Sequence, residues 1–189
     1  ISVKSELIPY SCRISRLIRD IPSTEIVAGN RVTNLREVIQ VEMKKRNLKC
    51  KCLRCREVGH QELGIKNYAL GPKLFIEKYE ASGGTEYFLS YEDAKRNIVL
   101  AFCRLSIDPA GLYPAYIREL HTYGQMLELG KTETGASQHK GMGKKLLAEA
   151  EKICHGQKIS KLAVISGIGV RQYYKKLGYR LEDTYMIKK

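Results

Sequence analysis

The rhythm of apolar and polar positions changes several times along the chain, and each change predicts an element. Leu35, Val38, Ile39 and Met43 recur at helical spacing behind Asn34, which predicts a helix over residues 35–47 capped by that asparagine. Ahead of it, Ile8-Pro9-Tyr10 and Arg19-Asp20-Ile21-Pro22 predict extended pieces, because a residue before proline is driven out of the helical region. From residue 56 the pattern turns to strands and hairpins. Strands are predicted over 56–63, 86–91, 97–106 and 115–123, with a short helix inside 67–80. Gly83-Gly84, Glu92-Asp93-Ala94-Lys95 and Asp108-Pro109-Ala110-Gly111 are the intervening turns. Alternation in the strand at 115–123 puts Ile117, Glu119, His121 and Tyr123 on one face. After a long connection, Leu146, Leu147, Ala150, Ile153 and Cys154 mark a helix, residues 162–166 a buried strand, and residues 170–177 a short helix closed by Gly178 before a last strand. The order is that of a mixed α/β domain.

The helix marked by Leu146 opens directly behind Gln138, His139, Lys140, Gly141, Met142 and Gly143. Glycines let consecutive backbone N–H groups converge without Cβ interference, and a helix start adds unpaired donors and a positive dipole end. Such a turn can cradle a pyrophosphate; an ordinary turn is the other reading of that pattern alone. The sequence Gln-x-x-Gly-x-Gly resembles the acyl-CoA loop of the GNAT acetyltransferases. The later segment Tyr173-Tyr174-Lys175-Lys176-Leu177-Gly178-Tyr179 is similar to the tyrosine-containing signature of that superfamily. The resemblance implies a GNAT fold, a mixed, mostly antiparallel sheet flanked by helices, with a small amino-terminal appendage. It also implies acetyl-CoA as substrate, bound by residues 138–143 with Tyr173 and Tyr174.

With 189 residues, 43% of them hydrophobic, the chain has room for one packed domain and an appendage. It has no apolar run of about eighteen residues and no charged-then-apolar leader, so the expectation is a cytoplasmic chain without a membrane span. It starts at Ile1 without a methionine, which reads as a piece of something longer. Net charge is +13, and residues 1–60 hold 13 Lys and Arg against 6 Asp and Glu, a net of +7. No acid occurs among residues 43–56, where Lys44, Lys45, Arg46, Lys49, Lys51, Arg54 and Arg56 cluster. This run predicts binding of a large polyanion, RNA first, through salt-sensitive phosphate contacts; a solvated basic face is the alternative.

Three of the 6 cysteines, Cys50, Cys52 and Cys55, fall within six residues. In a reducing compartment that spacing favours a metal site over disulfides, with tetrahedral zinc as the ion and one ligand still to be found. Cys12, Cys103 and His60 are the candidates for the fourth position. Free or redox-labile thiols and an iron–sulfur cluster are the competing readings. Cys154, on the apolar face of its helix, reads as core.

Further phrases narrow the resemblance. Tyr87-Phe88-Leu89-Ser90-Tyr91-Glu92-Asp93, Ile117-Arg118-Glu119-Leu120-His121-Thr122-Tyr123-Gly124 and Ala163-Val164-Ile165-Ser166-Gly167 resemble the acetyltransferase domain of the Elongator catalytic-subunit family. Arg19-Asp20-Ile21-Pro22, Asn34-Leu35-Arg36-Glu37 and Arg56-Glu57-Val58-Gly59 resemble the stretch leading from that family's radical S-adenosylmethionine domain into its linker. The resemblance implies residues 1–55 as the end of that domain, a basic linker and a zinc clip, and residues 56–189 as the acetyltransferase domain. It also implies carboxymethylation of wobble uridine in tRNA at the expense of acetyl-CoA. The cysteine triad that would hold the radical domain's iron–sulfur cluster is absent from this chain, so cluster and S-adenosylmethionine belong to a part that is missing. That part, or other Elongator-type subunits, would be partners.

In roles, Tyr174 matches the tyrosine that protonates a departing CoA thiolate, with Tyr173 beside the acyl group. Glu119 lies where many GNAT enzymes keep a general base, and His121 on the same face could relay a proton or stack on a base. The bland readings are a core tyrosine, an ion-paired glutamate and a structural histidine. A generic lysine or amine acetyltransferase, and an RNA-binding module with a vestigial acyl-CoA pocket, are the alternatives to the tRNA-modifying enzyme.

Overall fold

Strands β1 (Lys73–Ala81), β2 (Gly84–Glu92), β3 (Val99–Ile107) and β4 (Ala115–Thr122) run antiparallel to one another in chain order. In the computed structural model, which describes residues 1–17, 21–58, 71–81, 83–123 and 141–189, they continue into β5 (Leu162–Val164), β6 (Arg180–Glu182) and β7 (Tyr185–Lys188). The described strands make one sheet in the order β1-β2-β3-β4-β5-β7-β6, with β4 and β5 parallel. Helices are α1 (Leu35–Lys45), α2 (Leu53–Arg56), α3 (Met142–Gly156) and α4 (Arg171–Lys175). Contacts divide the chain into two compact units, Ile1–Glu62 and Leu63–Lys189.

In the second unit the apolar stripe of α3, Leu146, Leu147, Ala150 and Cys154, is buried. It covers the sheet face that carries Tyr87, Leu89, Cys103, Leu105 and Ile117; Gln157 just past the helix donates to the Tyr87 hydroxyl at 2.8 Å. Each aliphatic side chain fully buried there contributes about 1.5–3 kcal/mol. The opposite face carries Phe88, Ser90, Glu92, Phe102 and Arg104. Glu92, wholly buried, accepts from the Ser90 hydroxyl at 2.6 Å and from Arg96 at 3.0 Å, and Arg96 also binds Glu77. Arg96 itself takes a left-handed conformation, φ 55°, in the turn held by Asp93, whose carboxylate accepts from the N–H groups of Lys95 and Ile98.

The first unit packs Ile8, Met43, Leu53 and Val58 around several polar groups. Arg13 pairs with Glu57, and Arg36 donates to the carbonyls of Ile14 and Ser15 at 3.0 Å. α1 ends where Asn47 turns left-handed and the Leu48 N–H reaches the Met43 carbonyl at 2.8 Å.

Some expectations need correction. The helix expected within 67–80 is not formed over its described part, which is the edge strand β1: Phe75, Glu77 and Tyr79 are half-buried while Ile76 and Lys78 point out, a period of two rather than 3.6. Arg56 closes α2 instead of opening a strand. Asn34 stands at the N-cap of α1, but its side chain reaches Glu37 at 3.4 Å and makes no cap hydrogen bond. The face predicted for Ile117, Glu119 and His121 is broken by a β-bulge. Leu105 pairs with Ile117 and Arg104 with Glu119, leaving Arg118 as the extra residue and sending Ile117 and Glu119 to opposite faces. Expectations resting on Arg19, Asp20, His60 and residues 124–140 lie outside the described residues.

Candidate active site and metal centre

The bulge at Arg118 also ends the pairing of β4 with β5. Only Ala115, Tyr116 and Ile117 align with β5, and the last link is the Ile165 N–H to the Ile117 carbonyl at 3.2 Å. Beyond it β4 continues alone against β3. Tyr123 donates its N–H to the Leu100 carbonyl at 2.8 Å, so by alternation the backbone groups of Thr122 and Leu120 face the other way, into the gap.

The start of α3 closes the mouth of this wedge. Gly141 precedes the helix at φ 98°, a left-handed conformation that only glycine adopts without strain, and Met142 and Gly143 form its first turn. A Cβ placed on Gly143 would stand 3.1 Å from the Tyr173 hydroxyl, 3.5 Å from Thr122 Cγ2 and 3.9 Å from Leu120 Cδ2. Helix start, open strand edge and tyrosine therefore converge on one point, with the unpaired N–H groups of the first turn beside them. Gln138, His139 and Lys140 lie outside the described residues.

Tyr173 is 38% exposed, and burial of the rest of its ring raises its pKa. Tyr174 is buried, edge-on to Tyr173 at 5.2 Å and to Tyr179 at 5.7 Å, and burial, then Tyr173 and Cys103, push it up to about 12. Its hydroxyl makes no hydrogen bond with the described residues, whereas that of Tyr179 donates to Glu151 at 2.7 Å. Just past β5, the Ser166 Oγ is shut from solvent without a partner among the described residues. A single serine in an apolar run gives no sequence signal for this; a buried hydroxyl without a partner calls for an explanation, and a ligand group in the adjoining wedge would supply one.

Glu119 is bound by Arg104, Nε to Oε2 at 2.6 Å, and Arg104 also donates to the Tyr79 hydroxyl at 3.2 Å and lies over the rings of Phe88 and Phe102. His121 is exposed and stacks on Phe102 at 5.0 Å, with Tyr123 nearly parallel to it at 6.3 Å. These groups lie on the sheet face away from α3.

In the first unit the ligand atoms of Cys50, Cys52 and Cys55 lie within 4.8 Å of one another. Three sulfurs around a tetrahedral zinc stand about 3.8 Å apart, so the group fits such an ion with small rotations. Cys52 is wholly buried at the start of α2, and Cys55 closes the turn through its N–H to the Cys52 carbonyl at 3.1 Å. Neighbouring sulfurs act in opposite directions: S–H donors lower the Cys52 thiol, while the crowded Cys55 thiol is raised. Of the fourth-ligand candidates, Cys12 is exposed and outside the group, although its carbonyl accepts from the Leu53 N–H at 2.9 Å. Cys103 sits buried in β3, raised to about 12 by burial. His60 is outside the described residues.

The basic run divides by exposure. Lys44, Lys45, Arg46 and Lys49 are exposed on and beyond the last turn of α1; Lys51 and Arg54 are half-buried, donating to the carbonyls of Glu6 and Ser15 at 3.3 Å each. Arg56 is buried, bound to the carbonyls of Lys51 and Tyr10 and stacked over the Tyr10 ring, which makes it a structural residue.

Comparison with known proteins gives the following. Residues 134–188 match the acetyltransferase (GNAT) domain family. The chain is 47% identical to a Methanocaldococcus jannaschii protein named tRNA uridine(34) acetyltransferase, over 98% of this chain and 36% of that protein. It is 38% identical to the human Elongator complex protein 3, over 96% of this chain and 35% of that one. The solved structure of the archaeal Methanocaldococcus infernus Elp3 with an N-terminal deletion superposes with a TM-score of 0.79 at 43% identity, covering 97% of this chain and 46% of that one. The chain thus spans less than half the length of each of these relatives.

Proposed function

The chain belongs, over the stretch it shares with them, to the family of tRNA uridine(34) acetyltransferases and Elongator catalytic subunits, and it has their GNAT fold. On that premise we propose that it binds acetyl-CoA in the β4–β5 wedge and cleaves the thioester when tRNA is engaged, as the acyl-handling part of a wobble-uridine C5 carboxymethylating enzyme. The observation that carries this reading is the convergence of the Gly143 backbone, the Thr122 side chain and the Tyr173 hydroxyl at the mouth of the wedge.

The pyrophosphate sits on the N–H groups of the Gly141–Gly143 turn, with Gln138, His139 and Lys140 in the same loop. The amide-bearing arm of CoA pairs along the open edge of Leu120 and Thr122, as an added strand would. That direction carries the thioester away from the Gly143 mouth, where the Tyr173 hydroxyl stands, and toward Ser166 and Tyr174. Water or another nucleophile adds to the acetyl carbonyl, the C–S bond breaks, and the departing thiolate takes the proton of the Tyr174 hydroxyl; the Tyr173 hydroxyl, beside Gly143, faces the pyrophosphate end of the same ligand instead of the acyl group. Tyr174 is protonated at neutral pH as any phenol is, and burial, which pushes it up to about 12, makes it a weaker donor, so its role rests on its place in the tyrosine signature and not on its acidity. Glu119 accepts the nucleophile's proton and His121 passes it on. The ion pair with Arg104 fixes the position of Glu119.

Zinc is held by Cys50, Cys52 and Cys55 and supplies a structural crosslink. Lys44, Lys45, Arg46 and Lys49, with Lys51 and Arg54 at the margin, contact tRNA phosphates. The test is release of free thiol from acetyl-CoA with and without bulk tRNA at two salt concentrations. tRNA should raise the rate and salt should abolish the rise. A rate indifferent to tRNA would leave a generic acetyltransferase or hydrolase; no rate would leave an RNA-binding module. Tyr174→Phe should lose turnover by about 10²-fold or more while keeping CoA affinity, and equal loss of both would mean a packing role.

A further inference from the structure

The three-cysteine group has a neighbour that no motif announces. Lys4, in the π-helical turn Val3–Leu7, is only 2% exposed, and its ammonium stands 3.7 Å from Cys55 Sγ. Its backbone is tied in place: the Lys4 N–H donates to the Ile1 carbonyl at 2.8 Å, and the Lys4 carbonyl accepts from the Lys51 N–H at 3.1 Å, between Cys50 and Cys52.

An ammonium shut away from water is expensive unless an anion compensates it. Among the described residues the acids of this unit do not supply one. Glu57 pairs with Arg13 and Glu42 with Arg46 and Lys45, Glu37 accepts from Asn34, and Glu6 and Glu25 are exposed. The partner of the Lys4 ammonium is the Cys55 sulfur. Neutral thiols leave its charge uncompensated, and three bare thiolates overshoot it. Three thiolates on a divalent ion carry one net negative charge, which one ammonium cancels.

We infer that Lys4 is the charge partner of the metal-bound Cys50, Cys52 and Cys55, a positioning residue whose ammonium donates to the Cys55 sulfur and brings the buried site to neutrality. The inference rests on the metal reading given under Proposed function. It has a corollary: with the balance closed by one ammonium, a neutral donor suits the fourth position and a fourth thiolate does not, so Cys12 stays a free, exposed thiol.

The experiment compares the 189-residue chain with its Lys4→Met and Lys4→Arg variants. Zinc affinity is read by competition with a chromogenic chelator, and melting is followed with and without zinc. Lys4→Met should weaken zinc binding by about tenfold to a hundredfold, the range found for groups that support metal ligands. Lys4→Arg should recover part of the loss. Without zinc, Lys4→Met should melt at or above the unsubstituted chain, because an uncompensated buried charge has gone; with zinc it should melt below it. A thiol reagent on the native zinc form should find Cys12 reactive and the three ligands protected. Unchanged zinc affinity in Lys4→Met, or equal loss of melting temperature with and without zinc, would overturn the inference. If the unsubstituted chain takes up no zinc, the metal reading falls and Lys4 with it, an outcome distinct from the other two.

Discussion

At the scale of single residues, the site is governed by what one atom more or less would do. Gly143→Ala adds a methyl 3.1 Å from the Tyr173 hydroxyl, closer than side chains usually tolerate. The same change improves helix propensity by about 1 kcal/mol. Calorimetry with CoA should therefore show weakened binding while the melting temperature holds or rises, and a parallel loss of both would count against a ligand at this spot. Cys103 makes a second prediction, of opposite character. Burial raises its thiol from 9.0 to about 12, so the folded chain keeps a proton that the unfolded chain releases above pH 9. The stability associated with the neutral thiol is whole below pH 9 and declines as pH climbs toward 12, by up to about 1.4 kcal/mol per unit. Urea unfolding across that range should have a gentler slope in Cys103→Val; identical slopes would mean that the thiol does not titrate there.

Among the elements, the strand with the bulge decides the most. Deleting Arg118 would remove the extra residue, leaving Glu119 opposite Arg104 and Leu120 opposite Cys103, so that plain alternation runs through β4 with no side chain changing face. With the Glu119–Arg104 pair kept, stability in denaturant should hold while CoA binding weakens, because a regular β4 can follow β5 further and narrow the wedge. Undiminished CoA binding would show that the bulge is not what holds the wedge open. This element also marks the limit of what the sequence conveys. The apolar spacing of α3, from Leu146 to Cys154, was legible because one helix face meets one sheet face. The glycine turn before it was legible because only glycine suits the φ of Gly141. The bulge was not, since counting by twos through Ile117, Glu119 and His121 assumes the register that it breaks. The edge strand β1 was misread because Leu74, Phe75 and Ile76 adjoin, which blurs its alternation. The pairing of Glu119 with Arg104, fifteen positions away, depends on strand register, and the burial of Lys4 on a turn that the sequence does not signal.

For the whole molecule, the division into two compact units predicts how it comes apart. Cys52→Ser, or removal of zinc by a chelator, should lower the melting of the unit containing residues 1–62 and leave the unit containing residues 63–189 folded. Limited proteolysis should then yield a resistant fragment holding β1 to β7 and α3, whereas cooperative loss of everything would mean that the two units stand or fall as one. The open edge of β4 has a consequence of another kind. A sheet normally exposes unpaired amides only at its outer strands, yet here Leu120 and Thr122 have no partner strand among the described residues on the side away from β3, in the middle of the sheet where the β5 hydrogen bonds stop. In the empty protein those two amides should exchange with deuterated solvent nearly as fast as a loop, while Tyr123, one position on, is held by Leu100. A bound cofactor arm would quench the exchange at 120 and 122 alone, so two neighbouring amide signals report occupancy before any chemistry takes place.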